Sequence, residues 1–235
     1  MSAYPPFPLF TFVGFLVHAV VFFAIGVRFL KRWQSTTFMY IGCAAIIDSL
    51  NFVLVLLFFF AFPNDSFKAN VFLFNSVVIK PLVSIFAIMG LISLSERFSK
   101  LAWVFFAVAL CALLLLYWQT FHQFQTQPVE FAYVHPVYPE IVTQSEASGV
   151  IGALAFAVFF LYQGFVGTLF IRKRALVLAA ATFLLSFSAF YWVSTGPALY
   201  IATHTIGPIG SLLLAAGIFM FSSKSADSPE GEMVL

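Results

Sequence analysis

Three ionisable side chains sit where an apolar chain has little reason to keep them: His18, Asp48 and Lys80. Each lies inside a long apolar run, and the lysine stands within "NSVVIKPLVSIF" with a proline directly after it. A charged group at the centre of a membrane helix costs about 2.5–3.5 kcal/mol on insertion scales, so one that is kept has a partner or a task. An imidazole, a carboxylate and an ammonium together can hold a small polar ligand, take part in proton movement, or form a buried ion pair. Their polar neighbours follow helical spacing. Asp48 and Asn51 are i, i+3, and Ser76, Lys80 and Ser84 are i, i+4, i+8. Pro81 has no N–H to offer the Val77 carbonyl, which loosens the helix beside Lys80 and frees an acceptor there.

The elements that must position these groups are membrane spans. The chain has 235 residues, of which 62% are hydrophobic and 9% charged, with a mean hydropathy of +1.03. Soluble domains carry about 25% charged residues, so lipid is the natural solvent for this composition. A span needs about 20 mostly apolar residues. Seven stretches qualify, at about 7–30, 38–62, 70–94, 101–119, 147–171, 175–196 and 202–222. They form one heptahelical domain over 1–222, followed by a short cytoplasmic tail, 223–235. The turn between the fifth and sixth spans is placed at Arg172–Arg174, and the break before the seventh at Gly196–Pro197.

Basic residues set the direction. With the N-terminus outside, Arg28, Lys31, Arg32, Arg97, Lys100, Arg172, Lys173, Arg174 and Lys224 all fall on the cytoplasmic side, and only Lys68 falls in an outer loop. The fold class is therefore all-α integral membrane, N-terminus outside and C-terminus cytoplasmic. Counting about 1.5 Å per residue along the spans puts His18, Asp48 and Lys80 each about 15 Å deep, in one midplane layer. The candidate ligand- or ion-binding set is His18, Asp48, Asn51, Ser76, Lys80 and Ser84. Between Thr120 and Glu146 runs a polar outer loop with no lysine or arginine, whose His122, Glu130, His135 and Glu140 are candidates for a lid. A faint echo relates "PLVSIFAIMG" (Pro81–Gly90) to "PIGSLLLAAG" (Pro208–Gly217), as in transporters built from three helices, one linker helix and three more.

Several chemistries are excluded or left without support. Cys43 and Cys111 both lie in apolar runs and make neither a disulfide framework nor a zinc site. There is no G-x-S-x-G, H-E-x-x-H or P-loop motif, so no enzyme activity, cofactor or resident metal is expected. Retinal proteins share the seven helices and outer N-terminus, but their Schiff-base lysine belongs on the last helix, which here reads "IATHTIGPIGSLLLAAGIFMF". Glu96–Arg97, ending the third span in "LISLSERF", resembles the acidic–Arg pair of G-protein-coupled receptors, and Asp48 is similar to their intramembrane carboxylate. An outer cysteine pair and an Asn-Pro-x-x-Tyr run are missing, and neither family is assigned.

These features lead to a plasma- or cell-membrane sensor or receptor-like protein, binding a small ligand in an outward-facing pocket above the midplane layer. A small-solute or proton-coupled transporter uses the same layer, and a non-catalytic subunit of a larger membrane complex is the third expectation. The partners are the bilayer, a small-molecule ligand and a membrane-protein or signalling partner, with no nucleic acid. The topology is directly testable. In a background lacking Cys43 and Cys111, single cysteines at Ser66 and Thr143 should react with an impermeant thiol reagent on intact cells, and those at Ser35 and Ser225 should not; reaction at Ser35 contradicts the orientation.

Overall fold

The computed structural model describes residues 9–61, 74–94, 98–126, 131–132, 135–136, 140–188 and 197–219. The helices among them are α1 (Leu9–Leu30), α2 (Thr36–Ala61), α3 (a π-helical turn, Asn75–Ile79, continuing as α-helix over Lys80–Ile92), α4 (Ser99–Thr126), α5 (Glu140–Val166), α6 (Leu169–Ser188) and α7 (Pro197–Phe219). The one other regular element among the described residues is a short antiparallel ladder, β1 (Phe131–Ala132) against β2 (His135–Pro136).

Among the described residues four helices are long and apolar enough to cross a membrane, over Phe12–Leu30, Thr36–Leu57, Lys100–Gln119 and Gly149–Val166. Val77–Ile92 and His204–Phe219 are shorter apolar helices. Large apolar side chains stand on the outside of six helices, among them Phe23, Leu50, Val108, Val158, Phe183 and Leu212. Such a surface is a liability in water and the normal state in lipid. The chain is a multi-helix membrane protein.

The helices close a ring: α1 packs on α2, α2 on α3, α3 on α5, α5 on α6, α6 on α7, and α7 back on α1. Helix α4 stands outside it, packed mainly on α3. Lipid removes the hydrophobic drive between helices, so association relies on close van der Waals fit through small residues. A side chain at Gly26 would run into Ile46, and one at Gly217 into Leu178. At Gly90 it would meet Ile41 and the Thr37 carbonyl, which sets the register of α3 against α2 and brings Lys80 level with the Asp48–Asn51 turn.

Three apolar clusters fill the bundle. Ile25, Ala45, Leu178, Ala181, Leu214 and Ile218 join α1, α2, α6 and α7 beyond the C-terminal side of His18. Tyr40, Ile85, Met89, Ala102 and Leu113 join α2, α3 and α4. Phe15, Val55 and Leu56, with Phe12 and Phe52 against them, fill the opposite end of the α1–α2 pair.

The element bounds differ from the sequence reading in three places. The two ends of the polar segment 120–146 are helical: α4 runs on to Thr126 and α5 begins at Glu140. Helices stay intact where polar residues take them past the apolar layer, and the first strong breaker after Tyr117 is Pro128. The turn between the fifth and sixth helices is at Gly167–Thr168, and Arg172–Arg174 lie within α6. Glycine then threonine is the order of a helix stop and a helix start; Gly167 N–H closes on the Gln163 carbonyl at 2.9 Å and Arg172 N–H on the Thr168 carbonyl at 2.7 Å. A side chain at Gly167 would stand 2.7 Å from the Gln163 carbonyl oxygen. The last helix starts at Pro197, five residues before the expected 202, because proline suits the first helical turn.

Candidate functional site

His18 is built into the meeting of α1, α2 and α7. It is buried, its Nδ1 lies 2.5 Å from the Ser211 Oγ of α7, and its ring stacks on Phe52 of α2 with centroids 4.5 Å apart and planes at 8°. Gly207, one helical turn before Ser211, makes the room: a side chain there would sit 2.8 Å from His18 Nε2. One turn away, Ser49 Oγ donates to the Ala19 carbonyl at 2.7 Å, tying α2 to α1 beside the histidine. His204 is buried near by, with its ring 5.6 Å from Phe15, and it interacts electrostatically with His18.

On the adjoining face of α2 lies the second polar group. Asn51 Nδ2 donates to Asp48 Oδ1 at 3.5 Å, a long bond, and the Lys80 charge acts on the Asp48 carboxylate. Asp48 and Lys80 are both half-buried. Lys80 begins the α-helical part of α3, and its own N–H reaches back five residues to the Asn75 carbonyl. This π turn, directly before Pro81, is the form that the loosening takes; π turns absorb an irregular register inside helices and are frequent at functional sites. It carries Asn75 into the interior, at 3% exposure against 2% for Asn51. The amide oxygens of both have no hydrogen-bond partner among the described residues. Buried acceptors left in that state are rare and costly, about 1–3 kcal/mol each.

The expected set divides. Asp48, Asn51 and Lys80 come together on one face of α2, and His18 meets the adjoining face through Phe52. Ser84 does not join them: its Oγ donates to the Lys80 carbonyl at 3.4 Å and faces Gly152 of α5. Ser76 belongs to the π turn, where the α-helical spacing that aligned it with Lys80 no longer holds. The lid residues do not form one described structure. His122 is an exposed residue of α4, its ring edge-on to Trp118 at 4.4 Å; His135 lies in β2, Glu140 opens α5, and Glu130 lies outside the described residues. No cluster of three or more potential metal-binding side chains exists among the described residues.

Ser211, Phe52 and Asn75 were not singled out by the sequence reading. A last span running from 202 leaves His204 at its edge, and the start at Pro197 sets it more than a turn further into the helix. Ser211 carried a signal, since it is the serine of the "PIGSLLLAAG" echo. The echo positions occupy matching interfaces. Ser84 lies between α3 and α5, Ser211 between α7 and α1; Gly90 backs on Ile41 of α2, Gly217 on Leu178 of α6.

Compared with known proteins, the chain matches no family model, no curated protein and no solved structure.

Removing one member of the Asp48–Lys80 pair leaves the other charge in a poorly hydrated place. Asp48→Asn or Lys80→Met alone should lower stability in detergent by up to about 3 kcal/mol, the lower edge for fully buried pairs because both groups are half-buried here. The double variant should recover most of the loss. Additive losses in thermal midpoint would show that the two charges are not coupled.

Proposed function

We propose that the protein is a heptahelical membrane sensor, receptor-like in plan, that binds a small hydrogen-bond-donating ligand between α2 and α3 beside the Asp48–Lys80 pair. The observation that carries this reading is that two buried amide oxygens, Asn51 Oδ1 on α2 and Asn75 Oδ1 on the π turn of α3, have no donor among the described residues. A small polar molecule offering N–H or O–H groups would satisfy both and reach the Asp48 carboxylate as well. The His18–Ser211–Phe52 contact is the readout in this reading, because α2 is shared: displacement of Asn51 is passed to its neighbour Phe52, and from there to α1 and α7. Seven spans, with the N-terminus outside and the chain in the cell membrane, complete the proposal; the basic residues of the sequence support that direction.

Apolar packing favours a sensor over a carrier. Phe12, Phe15, Val55 and Leu56 lie to one side of the polar layer and the Ile25–Leu178–Leu214–Ile218 cluster to the other. A ligand held there would stay on its entry side. The second reading, a small-solute or proton-coupled carrier, draws on the matching interfaces of α1–α3 and α5–α7, the plan of carriers whose two halves rock about a central site.

Liposomes holding only this protein and a trapped pH dye separate the two. With a pH gradient imposed and amino acids, sugars or small amines added in turn, the sensor reading expects proton flux no faster than in empty liposomes. Flux that needs the protein and disappears in Asp48→Asn would establish the carrier instead.

A further inference from the structure

Three guanidinium groups converge at the end of the bundle where α1 and α7 finish and α6 begins. Arg174 of α6 donates from Nε to the Gly217 carbonyl of α7 at 3.0 Å. That carbonyl is in the last described turn of α7, where a cation meets the negative end of the helix dipole. Arg28, in the last turn of α1, lies over the Phe219 ring two residues further on, 4.9 Å from its centroid. Arg32, just beyond α1, lies over Phe38 at 5.8 Å, and Phe38 stacks on Phe29. Arg28 and Arg32 both act electrostatically on Arg174. Arg174 and Arg28 are half-buried, and Arg32 is exposed.

The cluster has no counter-charge among the described residues. The described carboxylates are Asp48, midway along α2, and Glu140 and Glu146, in the first turns of α5. The end of one helix dipole offers about half a negative charge against three positive ones. Beneath the arginines the floor is apolar: Ile25 lies one turn from Arg28 on α1, Leu178 one turn from Arg174 on α6, and Ile218 next to Gly217 on α7. Ordinary orienting charge would spread to solvent, as Lys31, Arg172 and Lys173 do. These three instead make cross-helix or aromatic contacts, Arg174 with Gly217, Arg28 with Phe219 and Arg32 with Phe38.

We propose that this end of the bundle binds a phosphate group, carried by an anionic phospholipid headgroup or by a small phosphorylated solute. Planar guanidinium forks match two phosphate oxygens at a time, and charge-assisted bonds of this kind are the strong ones. A dianion would also relieve the repulsion among the three arginines. Exposed Lys31, Arg172 and Lys173 form a basic rim that draws such an anion in.

The test is thermal denaturation of the full chain in neutral detergent, with sodium phosphate against sodium chloride at equal ionic strength, and with dioleoylphosphatidic acid against dioleoylphosphatidylcholine. A probe well above its dissociation constant should raise the midpoint by about 5 °C. Arg28→Gln and Arg32→Gln should abolish most of that shift, whereas Arg172→Gln and Lys173→Gln, which remove the same charge from the rim, should keep it. Arg32 lies over Phe38 of α2, and its variant leaves the Arg174 bond to the Gly217 carbonyl in place. A shift with phosphate and with phosphatidic acid alike identifies the phosphate group as sufficient; a shift with phosphatidic acid alone identifies the lipid headgroup. No shift with either probe, or equal loss in all four variants, overturns the proposal.

Discussion

A hydrogen bond between the first helix and the last holds this structure together as a closed ring. His18 and Ser211 are far apart in sequence and in contact in space, at a depth where lipid offers neither of them an alternative partner. In water such a bond would be worth little, because each group could be solvated instead. Inside the bundle the comparison is with an imidazole facing hydrocarbon, so the helices are bound to present it to one another. Gly207 is part of the same constraint: any side chain there would take the place of the imidazole. The stacked Phe52 ring completes the enclosure and brings α2 under the same control.

From that contact the rest of the interior can be ordered. Helix α2 shows one face to α1, through Ser49 and Phe52, and the next to α3, through Asp48 and Asn51. One stiff helix therefore joins a histidine site to a charged site. The π turn before Pro81 contributes the other wall and carries a second buried amide oxygen, that of Asn75, with no partner among the described residues. Apolar clusters lie on both sides along the bundle. This confined polar layer is the feature on which the proposed sensor function draws.

Much of the helical scaffold was legible in the sequence, for a physical reason. An apolar run flanked by arginines or polar residues has one stable arrangement in a bilayer, and α1 and α2 begin and end within two residues of the expected bounds. His18, Asp48 and Lys80 were legible for the complementary reason, that a lone ionisable group in such a run stands out. What the sequence hid was non-local or masked by polarity. Ser211 and Phe52 look like ordinary packing residues until the register of α7 and α2 against α1 is known. The end of α4 reads as a loop because its residues are polar, although nothing before Pro128 breaks the helix. The run Arg172–Arg174 draws the eye from the quieter Gly167–Thr168 pair, yet the backbone turns at the pair. Ser76 falls within the π turn, where the assumed α-helical period to Lys80 is broken, while Ser84 keeps that period and faces α5.

The claim on which the account rests is that His18 and Ser211 act as one unit joining the ends of the chain. A double-mutant cycle tests it most directly, with His18→Leu, Ser211→Ala and the combined variant unfolded reversibly in mixed detergent micelles. The account predicts a coupling energy of about 0.5–1.5 kcal/mol, the range for interhelical and buried hydrogen bonds, and no coupling between His18→Leu and Ser186→Ala, whose hydroxyl bonds within its own helix. Additive effects of His18→Leu and Ser211→Ala would contradict it, and the ring would then owe its closure to small-residue packing alone.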